Sequence, residues 1–472
     1  MKTINPNQRK TAFILLMALF LQSCGAPVPF TPTKKKDLRS GARSELPISE
    51  AKSLLSAHYQ QPAFTKMNTF LEDAPVLAQD MEFCIKLNEQ VKVRTTEESS
   101  QTAVYSGQSQ YTHPNEGRQD RLQWVQKPIA LADLFKPRSL RPDEPNVEIK
   151  KVLLVGEAGT GKTALTRKLA YDWTIGTWGQ EFTALYVLPV RNLRQDKYQG
   201  VSETLATAIA NECFTEEVLQ PAYSRPEDLL KIYTYIIASL QRPTTLVILD
   251  GLDEHLGTSQ VILDQAKHGQ HKLLLTSRPY DMQDALRLVD IEVEHMGLDV
   301  HQQEYFVRRT LRTAEYGLVD SLLTFMRDAD LPARCLIPVN LLMLCTLWKA
   351  RGTELEQPED VASVDLNEWY QRLVDHIWKR FASKEHVDHQ GPESERGRLF
   401  KKLEKIALTT AKDSKASIDP GIIQEYVLGR PASSFVEDAG FLLFEKIAWR
   451  YHFSHLTFHE YFAGKSLRGQ FC

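Results

Sequence analysis

Eight consecutive residues carry the strongest chemical signal in the chain: Gly156, Glu157, Ala158, Gly159, Thr160, Gly161, Lys162 and Thr163. They fit the pattern G-x-x-x-x-G-K-[ST], and each fixed position has a reason. Glycines leave backbone N–H groups free to wrap a phosphate, where a Cβ would obstruct the approach. The lysine ammonium neutralises β- and γ-phosphate charge, and the threonine hydroxyl is a ligand for Mg²⁺. Further along, the apolar run Leu246-Val247-Ile248-Leu249 ends in Asp250, a carboxylate suited to the same ion. Asp253 and Glu254 follow one short turn later, and either can polarise an attacking water. A third apolar run, 272–276, leads into Ser277-Arg278-Pro279, where a guanidinium can reach a γ-phosphate with its fixed fork of donors. Together these residues describe binding of ATP or ADP with Mg²⁺ and cleavage of the terminal phosphate. GTP is not expected, because no NKxD-type guanine-reading motif follows the third apolar run.

These groups must be held at the ends of strands. Residues 151–155 read as a short buried strand, and a helix over 162–173 turns its positive N-terminal end toward the bound anion. Further strands are predicted at 184–189, 245–249, 272–276 and 291–293, with helices at 201–213 and 226–240. Strands alternating with helices in this way predict an α/β P-loop NTPase fold, a parallel sheet with helices on both faces. After Met296 the strands stop, and 301–310, 339–350, 366–380 and 398–411 show helical spacing of apolar residues. Residues 440–461 read as a short hairpin followed by a helix.

The rest of the chain bounds the function. With 472 residues, 42% hydrophobic and 25% charged, the composition is that of an ordinary globular protein of several units. A net charge of −3 gives no basic excess for nucleic acid, so no nucleic-acid partner is expected. Cys24, Cys84, Cys213, Cys335, Cys345 and Cys472 form no CxxC or zinc spacing, which suits a reduced compartment for the folded part. The N-terminus points elsewhere. Lys2, Arg9 and Lys10 precede an apolar run over 12–21, too short to span a bilayer but suited to the core of a signal peptide. It ends in Leu21-Gln22-Ser23-Cys24-Gly25, which resembles a bacterial lipobox. The expectation is a signal peptide over 1–23, a membrane anchor through lipidated Cys24, and a tether over 24–45. A helical region and polar linker follow over 46–127, with helical-looking stretches at 48–58 and 67–91 and a polar segment at 95–120. A lipobox sends a chain out of the cytoplasm, where the bacterial periplasm offers no ATP. A membrane-anchored protein facing host cytosol reconciles the two signals, and so does a cytoplasmic protein whose signal is not processed.

The segments GEAGTGKTAL (156–165), LVILDGLDEH (246–255) and LLLTSRP (273–279), in this order, resemble a NACHT domain of the STAND class of P-loop NTPases. That class occurs in innate immune receptors and in many bacterial proteins. Gly251 after the Mg²⁺ acid, followed by Asp253 and Glu254, is the feature that separates NACHT from AAA+ sequences, where glutamate follows directly. Met296-Gly297-Leu298, Tyr305-Phe306 and Ile337-Pro338-Val339-Asn340-Leu341-Leu342 resemble the family's helical subdomain, and FSHLTFHEYFAG (453–464) its winged-helix subdomain. The resemblance implies an NTPase domain over 128–296, a helical subdomain over 297–360 and a winged-helix-like subdomain over 361–472. It also implies that Pro338 packs near the adenine and that His455 reaches the β-phosphate of ADP. His459 stands where the family commonly has glutamine and is not counted as a ligand. The implied activity is a signalling switch: ADP holds the chain closed, ATP opens it for self-association, and slow hydrolysis resets it. Family members usually end in a repeat sensor, and this sequence ends eight residues after Gly464, which leaves the stimulus open. Two rivals are an ATPase in continuous turnover for mechanical work and a truncated, non-catalytic scaffold. Intact Lys162, Thr163, Asp250 and Glu254 argue against the scaffold.

Overall fold

The computed structural model describes residues 46–65, 87–94, 122–140, 145–178, 181–193, 204–219, 223, 225–254, 260–279, 289–312, 317–328, 331–351, 366–385, 395–412, 418, 421–423, 442–445, 450–453 and 456–471. In chain order the principal elements begin with α1 (Ile48–Tyr59), β1 (Leu87–Arg94), β2 (Leu122–Ile129), β3 (Lys151–Val155), α2 (Lys162–Thr174) and β4 (Ala184–Pro189). They continue with α3 (Leu205–Cys213), α4 (Pro226–Ser239), β5 (Thr245–Asp250), α5 (Gln260–His268), β6 (Lys272–Ser277) and β7 (Ile291–His295). Helices α6 (Val300–Thr310), α7 (Leu318–Asp328), α8 (Pro338–Arg351), α9 (Leu366–Glu385) and α10 (Glu395–Lys412) come next. The hairpin β8 (Leu442–Glu445) and β9 (Arg450–Phe453) and the helix α11 (Leu456–Phe471) complete the list.

Seven strands form one sheet in the order β2-β1-β7-β3-β6-β5-β4. The five strands from β7 to β4 are parallel, as the alternation of strands and helices predicts. Strands β3, β5 and β6 are nearly continuous apolar runs because helices cover both of their faces. Strand β7 alternates instead, with Ile291, Val293 and His295 buried and Glu292 and Glu294 between them half-buried. Strand β6 lies between β3 and β5, so Val155 comes level with Ser277, and Leu249 with Leu275. The carboxyl ends of these three strands therefore open on one crevice, where open α/β sheets bind ligands.

Two findings correct the sequence reading of the N-terminal region. Of the helical-looking stretch at 67–91, residues 67–86 lie outside the described residues and 87–91 are strand: β1 pairs antiparallel with β2 and with β7, Leu87 opposite His295. Val91 and Val93 alternate with charged residues in a two-residue period too short to stand out from helical spacing. The sheet is thus mixed, with an antiparallel pair on one edge. Helix α1 in turn belongs to the sheet's own hydrophobic core, where Ala51, Leu54, Leu55 and Tyr59 are buried with the residues of β3 to β6. The Tyr59 hydroxyl donates to the Leu185 carbonyl (3.0 Å) and accepts from the Val187 N–H (3.1 Å), both on edge strand β4.

Helices α6 to α11 and the β8–β9 hairpin build a second core. Trp369, Trp378, Phe458 and Phe462 are buried there, and Phe458 and Phe462 lie one turn apart on α11. Helices α5 and α7 were not expected from the sequence. In α7, Leu318, Leu322 and Met326 do follow a four-residue spacing, so the signal was present.

Candidate nucleotide-binding site

The phosphate loop is anchored at both ends. The Gly156 N–H donates to the Ser277 carbonyl at 3.2 Å, tying the end of β3 to the end of β6. At the far end Gly161 adopts φ +103° as the residue capping α2, and the Leu165 N–H donates to its carbonyl at 2.8 Å. Gly159 also sits at positive φ (+81°), and a Cβ there would lie 2.5 Å from Val339 Cγ1 and 3.0 Å from Ile337 Cγ2. Two independent constraints thus require glycine at 159. The same contact places the segment carrying Pro338, the first residue of α8, directly against the loop. Thr160 Oγ1 donates to the Glu157 carbonyl at 2.9 Å and closes the turn. Leu165, Leu169 and Trp173 then bury one face of α2 in the sheet's core, which fixes the helix that starts at Lys162.

Lys162 folds back over this loop. Its ammonium donates to the Gly156 carbonyl at 2.6 Å and the Glu157 carbonyl at 3.0 Å. Burial lowers its pKa; the Asp253 carboxylate opposes the shift, the Arg278 guanidinium adds to it, and Asp250 and Glu157 oppose it. An ammonium so placed faces carbonyl dipoles and gains a stronger partner when a phosphate enters. Thr163, on the first turn of α2, is exposed.

Asp250 ends β5 and is 5% exposed. Its Oδ1 accepts a 2.8 Å hydrogen bond from the hydroxyl of Thr276, which is fully buried near the end of β6. The same hydroxyl accepts from the Gly251 N–H at 2.8 Å. One side chain therefore fixes both the carboxylate and the turn after it. Threonine in a strand is ordinary, and the sequence reading treated Thr276 only as a strand residue.

Arg278 joins two distant parts of the chain. Its Nε lies 3.1 Å from Asp253 Oδ2, and its Nη1 lies 2.6 Å from Glu460 Oε1 on α11. The structure thus brings Lys162, Asp250, Asp253 and Arg278 to one site and adds Glu460, which sequence reasoning missed. Glu254 ends the short 3-10 turn Leu252–Glu254. His295, at the end of β7, is a second missed residue. It is buried, its Nδ1 accepts from the Gly297 N–H at 3.3 Å, and burial followed by the Lys162 charge pushes its pKa down to about 4. A neutral imidazole behind the loop adds no charge there. His459 makes a 2.8 Å hydrogen bond to Thr410 and packs on Phe453, a structural position. His455 and Cys24 lie outside the described residues.

Among the described residues no group of three or more His, Cys, Asp or Glu side chains could hold a metal by itself. Mg²⁺ does not require one, since it is commonly held by one or two carboxylates together with substrate phosphates and water. Thr163 and Asp250 fit that arrangement, with Asp250 already oriented by a buried hydroxyl.

A phosphate loop after β3, an acid at the end of β5 and an intervening β6 followed at once by an arginine define the P-loop NTPase class. Within it, residues 150–314 match the NACHT domain. Curated relatives agree. The chain is 26% identical over 244 residues to "NACHT, LRR and PYD domains-containing protein 12" of Mus musculus, covering 47% of this chain and 21% of that protein. It is 28% identical over 227 residues to "Nucleotide-binding oligomerization domain-containing protein 2" of Bos taurus, covering 45% and 21%. With "NACHT, LRR and PYD domains-containing protein 10" of Mus musculus it shares 24% identity over 363 residues, covering 72% and 47%. The chain therefore spans 21% of the length of several curated relatives it matches, and about half of another. Among solved structures, a Signal Transduction ATPase with Numerous Domains (STAND) protein with a tetratricopeptide repeat sensor from Pyrococcus horikoshii aligns with TM-score 0.32 and 13% identity. That alignment covers 67% of this chain and 40% of the other.

Proposed function

We propose that this protein is an ATP/ADP-controlled signalling switch with slow hydrolysis, whose nucleotide state sets a closed or open conformation and self-association. The observation that carries this reading is Arg278, which bridges Asp253 beside the phosphate loop to Glu460 on the terminal helix. A ligand that touches two parts of a chain biases their docking by its differential affinity for the two arrangements. The contact of Gly159 with Ile337 and Val339 supports the same coupling from the other side of the loop. The name of the bovine relative mentions nucleotide binding and oligomerization, which supports extending the reading to self-association.

In this reading Lys162 and the loop N–H groups hold the phosphates, Pro338 borders the base, and His455 meets the β-phosphate of ADP. Thr163 and Asp250 would hold Mg²⁺, which supplies charge neutralisation between the phosphates. Asp253 and Glu254 orient and deprotonate the attacking water, and Arg278 meets the γ-phosphate. In the same reading Cys24 serves as a lipid anchor after removal of residues 1–23, which the intact mass of the protein from its native cell would test.

The test is what the purified protein holds and does. We expect retained ADP, single-turnover ATP cleavage with little unstimulated steady turnover, and larger particles by light scattering with a non-hydrolysable ATP analogue. Rapid continuous turnover with no retained ADP would favour the mechanical ATPase instead. Absence of nucleotide binding would remove both readings.

A further inference from the structure

The C-terminal helix reaches the nucleotide site through a carboxylate. Glu460 lies on α11, anchored by Phe458 and Phe462 in the second core, and by the Tyr461 hydroxyl, which donates to Gln371 Oε1 at 2.6 Å. Its side chain is 48% exposed, and the Arg278 side chain it meets is 20% exposed. Arg278 presents one edge, through Nε, to Asp253 and another, through Nη1, to Glu460. The guanidinium is therefore already occupied by two carboxylates. A terminal phosphate is a third claimant, with more charge and an oxygen geometry that fits the same fork. ADP brings no such group.

We propose that Glu460 is a specificity-determining residue that stands in for the γ-phosphate on Arg278. ATP, but not ADP, must displace a carboxylate of α11 to engage that arginine. The inference rests on the reading of Arg278 under Proposed function and adds how the two nucleotides are told apart. Docking of α11 and binding of the terminal phosphate compete for one guanidinium, and each weakens the other by the same factor. Asp253 does not serve this purpose, because it lies on the same domain as Arg278 and can keep its own edge of the guanidinium. Loss of the Glu460 charge leaves the apolar anchors of α11 intact, so the helix need not unfold.

The experiment measures Kd for ADP and for a non-hydrolysable ATP analogue, with Mg²⁺, on the full chain. Glu460→Gln keeps the shape and removes the charge. For a partly exposed ion pair we expect analogue affinity to rise about two- to fivefold with ADP affinity unchanged. Glu460→Asp, one methylene shorter, should fall between that variant and wild type. In an Arg278→Gln background, Glu460→Gln should have no further effect, since the group both anions seek is gone. Equal shifts for the two nucleotides, or a shift for neither, overturn the proposal while leaving the switch intact. A Glu460→Gln effect that persists without Arg278 also overturns it. If wild type binds neither nucleotide, the functional reading falls, and this one with it.

Discussion

Replacing Thr276 by valine tests the geometry of the Asp250 site most directly. Valine keeps the branched shape and removes one oxygen, and that oxygen serves two partners, the buried Asp250 and the half-buried Gly251. Asp250 Oδ1 loses its 2.8 Å donor, and the Gly251 N–H loses its 2.8 Å acceptor. A hydrogen bond to a charged group contributes about 1.5–3 kcal/mol and a neutral one about 0.5–1.5 kcal/mol. Asp250 remains shielded from water at 5% exposure, and the site of the lost hydroxyl is fully buried. We therefore expect a stability loss of about 2–4 kcal/mol in denaturant titration of the nucleotide-free protein. Stability alone does not isolate positioning, so a second readout is needed. Nucleotide affinity measured across a Mg²⁺ titration should lose much of its Mg²⁺-dependent gain in Thr276→Val, while affinity in chelator stays near wild type. Thr276→Ser, which restores the hydroxyl, should recover most of the Mg²⁺ response. Wild-type Mg²⁺ dependence in the valine variant, or failure of serine to recover it, would refute the reasoning.

Lys162→Ala removes the ammonium that lies over the Gly156 and Glu157 carbonyls, and should weaken ATP and ADP alike by an order of magnitude or more, read by calorimetry. Asp253→Asn or Glu254→Gln should leave nucleotide affinity nearly unchanged and slow single-turnover cleavage; unchanged rates in both would remove that acid pair from the chemistry. The pH dependence has a definite sign. His58 and His295 are both buried, and burial pushes each down to about 4. Their unfolded value is near 6.5, so between about 6.5 and 4 the unfolded chain binds more protons and stability falls as pH falls. Denaturant titration at pH 7 and pH 5 should show the loss, and His295→Gln should remove part of it.

The phosphate loop was legible because its chemistry lies in eight adjacent residues. Asp250 and Arg278 were legible because each follows an apolar run, and a buried strand can expose a polar group to solvent only at its end. Thr276 and Glu460 gave no such signal. The threonine's role depends on the turn after the neighbouring strand, and the glutamate meets Arg278 across 182 residues of sequence. Strand β1 was missed for a related reason, since its identity comes from pairing with β7, far along the chain. Local pattern reports local physics, and these residues act through contacts made only on folding.

Tyr59 also bears on how the protein behaves outside its folded assembly. With its hydroxyl seated between Leu185 and Val187, it occupies backbone groups on which another chain would build a strand. Before Pro189, strand β4 reads Ala184-Leu185-Tyr186-Val187-Leu188, an uncharged and β-prone run of the kind that recruits other strands when its edge is bare. Helix α1 is thus a guard against aggregation as well as a piece of the core. A protease cut that releases it should leave a fragment that precipitates through that edge, so trimming this protein for laboratory work is safest upstream of residue 46.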